Sequence, residues 1–344
     1  MRRSRRAPVI AVGVVLALLM TAGASASLRV HRARHALRYI AAHQMSDGSV
    51  PAFSALGSTA DAVLAMAAAR RGPGHEDRAL HYLRTHLSDA TSLGLKAKVV
   101  LAAVAGDRDP RNFGGKNLVR AIATSERRNG HLGSGKSVID HALGMLALVS
   151  AGVQPSGRAA RWLTRAQCPD GGWQFDAPYN SKTDNRHCHN GSTTDYSRSD
   201  TNTTSYAVQA LDAMAAPVAP AHDAFSYLRS RRDPIKHGWG YDRKTTLTDA
   251  NSTALVIQAY VAAGRSLPRH AMRALKRLQY TNLCGSNFPF AFSFTWKKKA
   301  SGGYKRTGAD VGATLGAILG LLKQPLPVPA TTLTMAMPRI TGSC

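Results

Sequence analysis

Apolar residues recur along this chain at helical rather than at strand spacing. Six segments rich in Ala, Leu, Val and Met are apolar over more than one face, and such helices are buried on several sides. They are Thr59–Arg70, Leu93–Ala105, Val138–Ala151, Thr203–Ala215, Ser252–Ala263 and Ala309–Leu322. The helices between them mix Arg and His with apolar residues, which is typical of one solvent-exposed face. The pattern predicts alternating outer and inner helices.

A repeated motif follows each outer helix. Gln167 is followed at fixed spacing by Gly171 and Trp173, and Gln44 is followed in the same way by Gly48. The six anchoring positions are Gln44, Leu87, Glu126, Gln167, Arg232 and Gln279. They recur roughly every 40 residues, a period typical of stacked helix pairs, except that a polar insertion lengthens the gap between Gln167 and Arg232. No polar capping repeats mark the ends, as an open superhelix would need. The sequence therefore predicts an all-α fold, an (α/α)6 toroid of about six helical hairpins around a central cavity.

The segment from Arg158 to Trp173 resembles the QW repeat of the terpene cyclase and protein prenyltransferase superfamily. The resemblance covers essentially the whole chain after its first residues. The Asp-x-Asn-Ser/Thr-Thr helix starts, in a chain predicted to be exported and disulfide-bonded, are most similar to transcobalamin-like bacterial members. The resemblance implies the toroid fold, but one fold hosts several functions.

The resemblance also implies where chemistry would lie, at the cavity ends of the inner helices. Class II cyclases carry a D-x-D-D run there, because paired acids keep one carboxyl protonated. The matching helix starts hold a single carboxylate each, Asp200, Asp249 or Asp310, followed by amides and hydroxyls. The Asp-rich magnesium motif and the Asp, Cys and His zinc set of the superfamily's other enzymes are missing as well. These departures favour a protein that is not a catalyst.

The same helix starts are candidates for the rim of a binding cavity. Amides and hydroxyls there would hydrogen-bond the amide arms of a corrinoid or the head of a polar lipid, so cobalamin is one candidate ligand and no cofactor is assigned. The competing interpretation is helix capping, since Asp at an N-terminus accepts free backbone N–H groups. The candidate rim residues are Asp200, Asn202, Thr204, Asp249, Asn251, Thr253, Asp310, Asp61, Asp140 and Tyr241.

The first residues predict a targeting segment. Four arginines precede an apolar run from Val9 to Met20, and small residues follow at 24–26. This order is typical of a secretory signal peptide. We therefore expect a signal peptide over residues 1–26, with cleavage near Ala26, and a secreted single domain over residues 27–344. The twin-arginine and general secretory routes both remain open.

Cysteines in an exported chain are expected to pair. The four cysteines are Cys168, Cys188, Cys284 and Cys344. They allow three pairings, and proximity favours Cys168 with Cys188 and Cys284 with Cys344. The first bond would close a polar insertion at about 176–199, and the second would pin a Pro-rich tail at 325–344. A metal site built from Cys168, Cys188 and the histidines beside Cys188 is the alternative, and the oxidising context favours disulfides over it. No metal site is predicted.

The formal charge of +25 draws the chain toward anionic surfaces, such as cell-wall polymers or lipid headgroups. Nucleic acid is not expected as a partner, because the chain is exported and aromatic residues make up only 6% of it. The tightest basic run, Lys297–Lys299, is interpreted as a loop.

Three functions follow from these observations. The first is an exported, non-catalytic toroid that binds a small molecule, either a corrinoid or a hydrophobic isoprenoid, in its cavity. The alternative is a divergent, squalene-type terpene cyclase that uses a lone acid such as Asp200 or Asp249. The third is a basic structural protein of the cell envelope.

Overall fold

The computed structural model describes residues 10–177, 188, 198–281 and 289–338, with side chains from Ala26 onward. These residues form twelve α-helices, and only short strands and two single-turn 3-10 helices accompany them. In chain order the helices are α1 (Ile10–Ala42), α2 (Ala55–Ala69), α3 (Pro73–Thr85), α4 (Leu93–Ala105), α5 (Leu118–Ala123), α6 (Val138–Ser150), α7 (Gly157–Arg165), α8 (Thr201–Asp212), α9 (Ala224–Ser230), α10 (Ala250–Ala262), α11 (Ala271–Arg277) and α12 (Val311–Leu322).

The even-numbered helices form a closed inner ring. Each of them packs against the next, from α2 through α12, and α12 packs against α2. The odd-numbered helices lie outside this ring, and α1 covers the junction where α12 meets α2. The predicted all-α toroid of six helical hairpins is therefore confirmed.

Composition explains which helices lie inside. Helix α4 buries Ala97, Val100 and Leu101 among other residues on several faces, as a helix enclosed by neighbours must. Helix α7 buries only one stripe, formed by Ala159, Ala160 and Leu163, and exposes its arginines to solvent. Burial of apolar surface thus assigns each helix to its layer.

Short strands connect the outer layer to the inner helices. They are β1 (Trp173–Gln174), β2 (Ser199–Asp200), β3 (Phe292–Ser293), β4 (Trp296–Lys298), β5 (Tyr304–Arg306) and β6 (Ala309–Asp310). The antiparallel pairs β1–β2 and β3–β6 lead directly into α8 and α12. Strands β4 and β5 form a hairpin. The interpretation of Lys297–Lys299 as a loop is therefore wrong, because its first two lysines belong to β4.

The Pro-rich C-terminal segment is fixed against the ring by backbone hydrogen bonds. The Leu326 N–H donates to the Gln209 Oε1 of α8 at 2.9 Å, and the Thr331 N–H donates to the Ala105 carbonyl at the end of α4 at 3.0 Å. The Met335 carbonyl accepts the Gly72 N–H. The segment therefore crosses the C-terminal ends of the inner helices. The predicted bond between Cys284 and Cys344 lies outside the described residues.

The predicted signal segment overlaps α1, which runs without a break from Ile10 to Ala42. Its removal near Ala26 stays a prediction. Among the described residues, no helix is sufficiently long and apolar to cross a bilayer.

Candidate functional site

Every inner helix begins at a side chain that accepts a backbone hydrogen bond. The six caps are Ser54, Ser92, Ser137, Asp200, Asp249 and Asp310. Asp200 accepts the Thr203 N–H at 2.7 Å with Oδ1 and the Thr203 hydroxyl at 2.7 Å with Oδ2. Asp249 and Ser252 repeat this arrangement on α10. The carboxylates of Asp200, Asp249 and Asp310 thus cap their own helices, as the capping interpretation expects.

Burial changes the acidity of two of these caps. Asp200 is fully buried and Asp249 is 4% exposed. Burial raises the pKa of each carboxyl to about 7, although hydrogen bonds from the first helical turn act in the opposite direction. Both groups therefore carry a proton for part of the time near neutral pH. Neither lines the central cavity, so neither is placed to protonate a molecule held there.

The threonines four residues after these caps join each helix to the turn that precedes it. The Thr204 hydroxyl accepts the Trp173 N–H at 3.0 Å and donates to the Asp200 carbonyl at 2.6 Å. Thr253 accepts the Trp239 N–H in the same way at 3.0 Å. We call these contacts the repeat joints. Because Thr204 and Thr253 make these contacts, their side chains lie inside the wall of the ring and do not line the central cavity.

The repeated Gln and Gly complete the connection between repeats. Gln167 Nε2 donates to the Gly171 carbonyl at 2.8 Å and to the His222 carbonyl of the next repeat at 2.9 Å. Gly171 has a φ of 88°, and a Cβ there would approach the Asp223 carbonyl oxygen to 2.6 Å. Gln279 donates to the Arg32 carbonyl of α1 at 3.1 Å, which links the last repeat to the first.

A cavity of about 250 Å³ occupies the centre of the inner ring, and all six inner helices contribute to its wall. We call it the hub. Of the predicted rim residues, the structure brings Asn202, Asn251 and Asp61 together there. Its apolar lining consists of Phe53, Leu64, Ile139, Leu255, Leu315, Leu319 and Leu326. Leu326 belongs to the C-terminal segment, so that segment closes one end of the hub. The other end, formed by the first turns of the inner helices, is called the mouth.

One ion pair lies in the hub wall. Lys98 Nζ is 2.7 Å from Asp61 Oδ2, and both side chains keep partial exposure, 24% and 31%. Burial alone would lower the pKa of Lys98, but the Asp61 carboxylate outweighs it and the pKa is raised. Burial raises the pKa of the neighbouring Tyr206 phenol, whose residue also lines the hub. The hub thus contains a charged pair and a neutral hydroxyl.

Two buried amide oxygens of the hub have no hydrogen-bond partner among the described residues. They are Asn202 Oδ1 and Gln258 Oε1. Gln258 Nε2 donates to the Ala254 carbonyl at 3.3 Å, so its oxygen is the atom left over. Buried acceptors without partners are costly, and a donor from a bound molecule or water would satisfy them. Both unsatisfied acceptors belong to residues that line the hub.

Two other rim candidates lie elsewhere. Asp140 belongs to the first turn of α6, and its carboxylate lies near the N-terminus of α4. Burial raises the pKa of Asp140, while hydrogen bonds from the Gly94 N–H and from the Ser137 and Ser92 hydroxyls act in the opposite direction. It lines a separate pocket of about 520 Å³ between the starts of α4 and α6. The Tyr241 carbonyl accepts the Thr201 N–H at 2.8 Å, and Tyr241 does not line the hub.

Lys98, Tyr206 and Gln258 are hub residues that sequence reasoning missed. Each is a large polar residue in a helix that the sequence pattern predicts to be buried on several sides. Because buried polar residues are exceptional, that contrast was the available signal.

The predicted Cys168–Cys188 disulfide is confirmed, and it spans 20 residues. At the far end of the same insertion, Arg198 pairs with Asp242 at 2.6 Å, with both side chains 1% exposed. Residues 178–187 and 189–197 of this insertion are not among the residues that the structure describes. Among the residues described, no cluster of three or more His, Cys, Asp or Glu is arranged to hold a metal.

No family model and no curated protein matches the sequence. Solved structures do match. A variant of the type II terpene cyclase MstE from Scytonema, with geranylgeranyl dihydroxybenzoate, aligns with a TM-score of 0.58 at 12% identity, over 87% of this chain and 98% of that chain. A protein from Actinoplanes aligns at 0.56 and 13% identity, over 86% of this chain and 99% of its own.

A third match is an inactive variant of the α-1,6-mannanase GH76A of Salegentibacter, with α-1,6-mannotetrose, at a TM-score of 0.54 and 12% identity, over 87% of this chain and 98% of that chain. Identities this low establish the fold and no activity. The chain thus has the α/α-toroid fold that terpene cyclases and GH76 mannanases share.

Proposed function

We propose that this protein binds a small molecule in the hub, without transforming it. The observation that carries the proposal is a pair of buried, unpartnered amide oxygens, Asn202 Oδ1 and Gln258 Oε1, on two residues that line one cavity. The Asp61–Lys98 ion pair adds polar contacts to the same wall. Leu255 and Leu319 supply apolar surface in the same cavity. A few polar groups in a largely apolar cavity are typical of small-molecule sites.

The volume of the hub restricts the ligand. Pockets for drug-sized molecules have volumes of roughly 300–1,000 Å³, and the hub, at about 250 Å³, is smaller. A corrinoid exceeds the drug-sized class, so the cavity disfavours cobalamin. The unpartnered oxygens favour a ligand that carries hydroxyl or amine donors. We therefore propose a compact amphipathic ligand with donor groups on one side and a hydrocarbon surface on the other.

The placement of the acids supports binding over the cyclase alternative. The acid that lines the hub, Asp61, is paired with Lys98 at 2.7 Å, and a paired carboxylate is a poor proton donor. Asp200 and Asp249 are committed to their helix caps. We expect squalene or a prenyl diphosphate, incubated with the protein and analysed by mass spectrometry, to be recovered unchanged. A cyclised product would reject the non-catalytic proposal.

The binding proposal is tested by filling the hub. Leu255→Trp places an indole in the cavity wall, whereas Met45→Trp adds the same group at a site that is 54% exposed and outside the hub. Native mass spectrometry of protein purified from its own source identifies a retained molecule. Thermal shift with compact hydroxylated and amine compounds identifies added ones. We expect the wild type and the Met45→Trp variant to bind and the Leu255→Trp variant to lose binding.

Two outcomes would reject the proposal. The first is that the wild type retains no molecule and gives no thermal shift with any compound. The second is that a compound binds the Leu255→Trp variant as tightly as it binds the wild type, which would place the site elsewhere. Circular dichroism of both variants checks that the helical ring is intact.

A further inference from the structure

The β4–β5 hairpin carries an unusual concentration of positive charge. Lys297, Lys298, Lys299 and Lys305 are all exposed. No acidic residue occurs between Thr295 and Gly308. Within the described part of the chain, none of the four lysines belongs to an ion pair. The fold therefore leaves this charge without local compensation.

The register of the hairpin makes the charge unfavourable for folding by itself. Lys297 is directly opposite Lys305, so two ammonium groups share one face of the ribbon. Like charges in directly opposed positions destabilise a strand pair. On the other face, Lys236 Nζ lies 4.7 Å from the centre of the Trp296 ring and 4.4 Å from that of Tyr304, which adds another cation at the base. An anionic partner would relieve this repulsion.

Exposed aromatic residues lie on the same side of the molecule. The hairpin is anchored at the start of α10, where the Thr295 hydroxyl donates to the Thr248 carbonyl at 2.9 Å. Phe294, which is 41% exposed, directly precedes Thr295 in the chain. Phe53, 81% exposed, precedes α2, and a Cβ on Gly312 of α12 would touch its ring. Because α10, α12 and α2 are neighbours in the ring, both phenylalanines and the hairpin lie at the mouth.

We infer that the mouth of the ring docks on an anionic lipid bilayer through this hairpin. Lysines near a surface of anionic headgroups are attracted to it, and aromatic side chains are favoured at the boundary between headgroups and acyl chains. A soluble polyanion would account for the lysines but gives no role to Phe53 and Phe294. The exposed phenylalanines therefore favour a bilayer over a cell-wall polymer. Phe53 also lines the hub, so the docking surface and the hub share one residue.

Flotation of the full chain with vesicles tests the inference. The vesicles contain equal parts of phosphatidylglycerol and phosphatidylcholine, and phosphatidylcholine alone is the reference. We expect the wild type to float with the anionic vesicles and to remain in solution with the reference. Each lysine near such a surface contributes about a fivefold change in partitioning, so the variant Lys297→Gln, Lys298→Gln, Lys299→Gln, Lys305→Gln is expected to lose binding by several hundredfold.

A matched variant separates local docking from net charge. Lys116→Gln, Arg120→Gln, Arg161→Gln and Arg273→Gln remove the same total charge from exposed sites on other parts of the ring. We expect this variant to keep most of its vesicle binding. Equal losses in the two variants would show that only the overall charge matters, and that result would overturn the inference.

The aromatic residues distinguish a bilayer from a polymer. Phe53→Ser with Phe294→Ser is expected to weaken vesicle binding, most clearly at high salt, where charge attraction is screened. Binding of soluble polyphosphate is expected to be unaffected by this change. Tight binding to polyphosphate together with no flotation would assign the hairpin to a polymer and overturn the lipid assignment.

Discussion

Two kinds of polar side chain begin the inner helices, and they have different environments. Thr204 and Thr253 lie in the repeat joints, where each hydroxyl accepts a backbone N–H and is completely buried. Asn202 and Asn251, two residues earlier, line the hub instead. The joints satisfy their polar groups within the chain, whereas Asn202 Oδ1 is left unpartnered. Polar residues of the joints therefore serve stability, and those of the hub are the ones that we propose contact a ligand.

The largest expected loss of stability follows from substitution of a tryptophan at the repeat joints. Trp239 is fully buried, and its Nε1 donates to the Leu228 carbonyl of the preceding outer helix. Trp239→Ala should lower the free energy of unfolding by about 3–5 kcal/mol, because it leaves a cavity and an unpaired carbonyl. Chemical denaturation measures this loss. A decrease under ~1 kcal/mol would show that the indole does not hold the repeats together.

The caps of α8 and α10 should make stability depend on pH. Burial raises the pKa of Asp200 and Asp249 to about 7, above the unfolded value of 3.8. Between these values the native state binds more protons than the unfolded state, so the free energy of unfolding falls as pH rises from about 4 to 7. The slope is on the order of 1.4 kcal/mol per pH unit for each carboxyl.

Asparagine substitution isolates this effect, because Asn caps helices about as well as Asp. The Asp200→Asn, Asp249→Asn variant should show a flatter pH profile in denaturation experiments. Asp223→Asn is the control: hydrogen bonds at the start of α9 lower the pKa of Asp223 although its burial acts the other way. That carboxylate stabilises the protein above its unfolded pKa, so the control should lose stability at neutral pH instead. Identical slopes in wild type and the double variant would contradict the assignment.

Removing a joint hydroxyl should lower the free energy of unfolding by less than removing an indole does. Thr204→Val keeps the shape of the side chain but leaves the buried Trp173 N–H without an acceptor. We expect a loss of about 1–3 kcal/mol, the typical cost of a buried unsatisfied donor. Thr253→Val should cause a similar loss, because it leaves the Trp239 N–H without an acceptor. Urea denaturation curves with an unchanged slope and a lowered midpoint would show this directly.

The smallest change in stability is expected in the hub. Asn202→Leu removes a partly buried amide whose oxygen has no partner. The ligand-free protein should therefore be destabilised by less than about 0.5 kcal/mol, or become more stable, while ligand binding decreases. Differential scanning fluorimetry with and without ligand distinguishes the two effects. A large loss of stability without ligand would place Asn202 among the structural residues and remove the contrast between joint and hub.

Much of the ring was predictable because it repeats. The Gln–Gly–Trp spacing, with Gln167 as its clearest example, marks the contacts that each repeat makes with the next. The missing polar capping repeats and the six hairpins predicted closure, and in the structure Gln279 links the last repeat to α1 with the same amide group. The cysteine count and the expected export predicted disulfides, and proximity along the chain favoured the bond between Cys168 and Cys188. Features that recur six times can be identified even when single copies diverge.

The hub was only partly predictable. Asn202 and Thr204 are both polar residues of one helix turn, and two residues correspond to a rotation of about 200° around the helix axis. Which of them faces the centre depends on how α8 is rotated against its two neighbours in the ring. The sequence pattern distinguishes inner from outer helices but does not specify that rotation.

By itself, the sequence determined the number of repeats, the order of the layers and the caps of α8, α10 and α12, because these depend on local periodicity and on the burial of apolar residues. Tertiary structure decided the contents of the hub. Lys98 meets Asp61 from a different repeat, and Leu326 reaches the hub from the C-terminal segment. The central space that these residues line exists only when the ring closes, because closure alone brings all six inner helices around it.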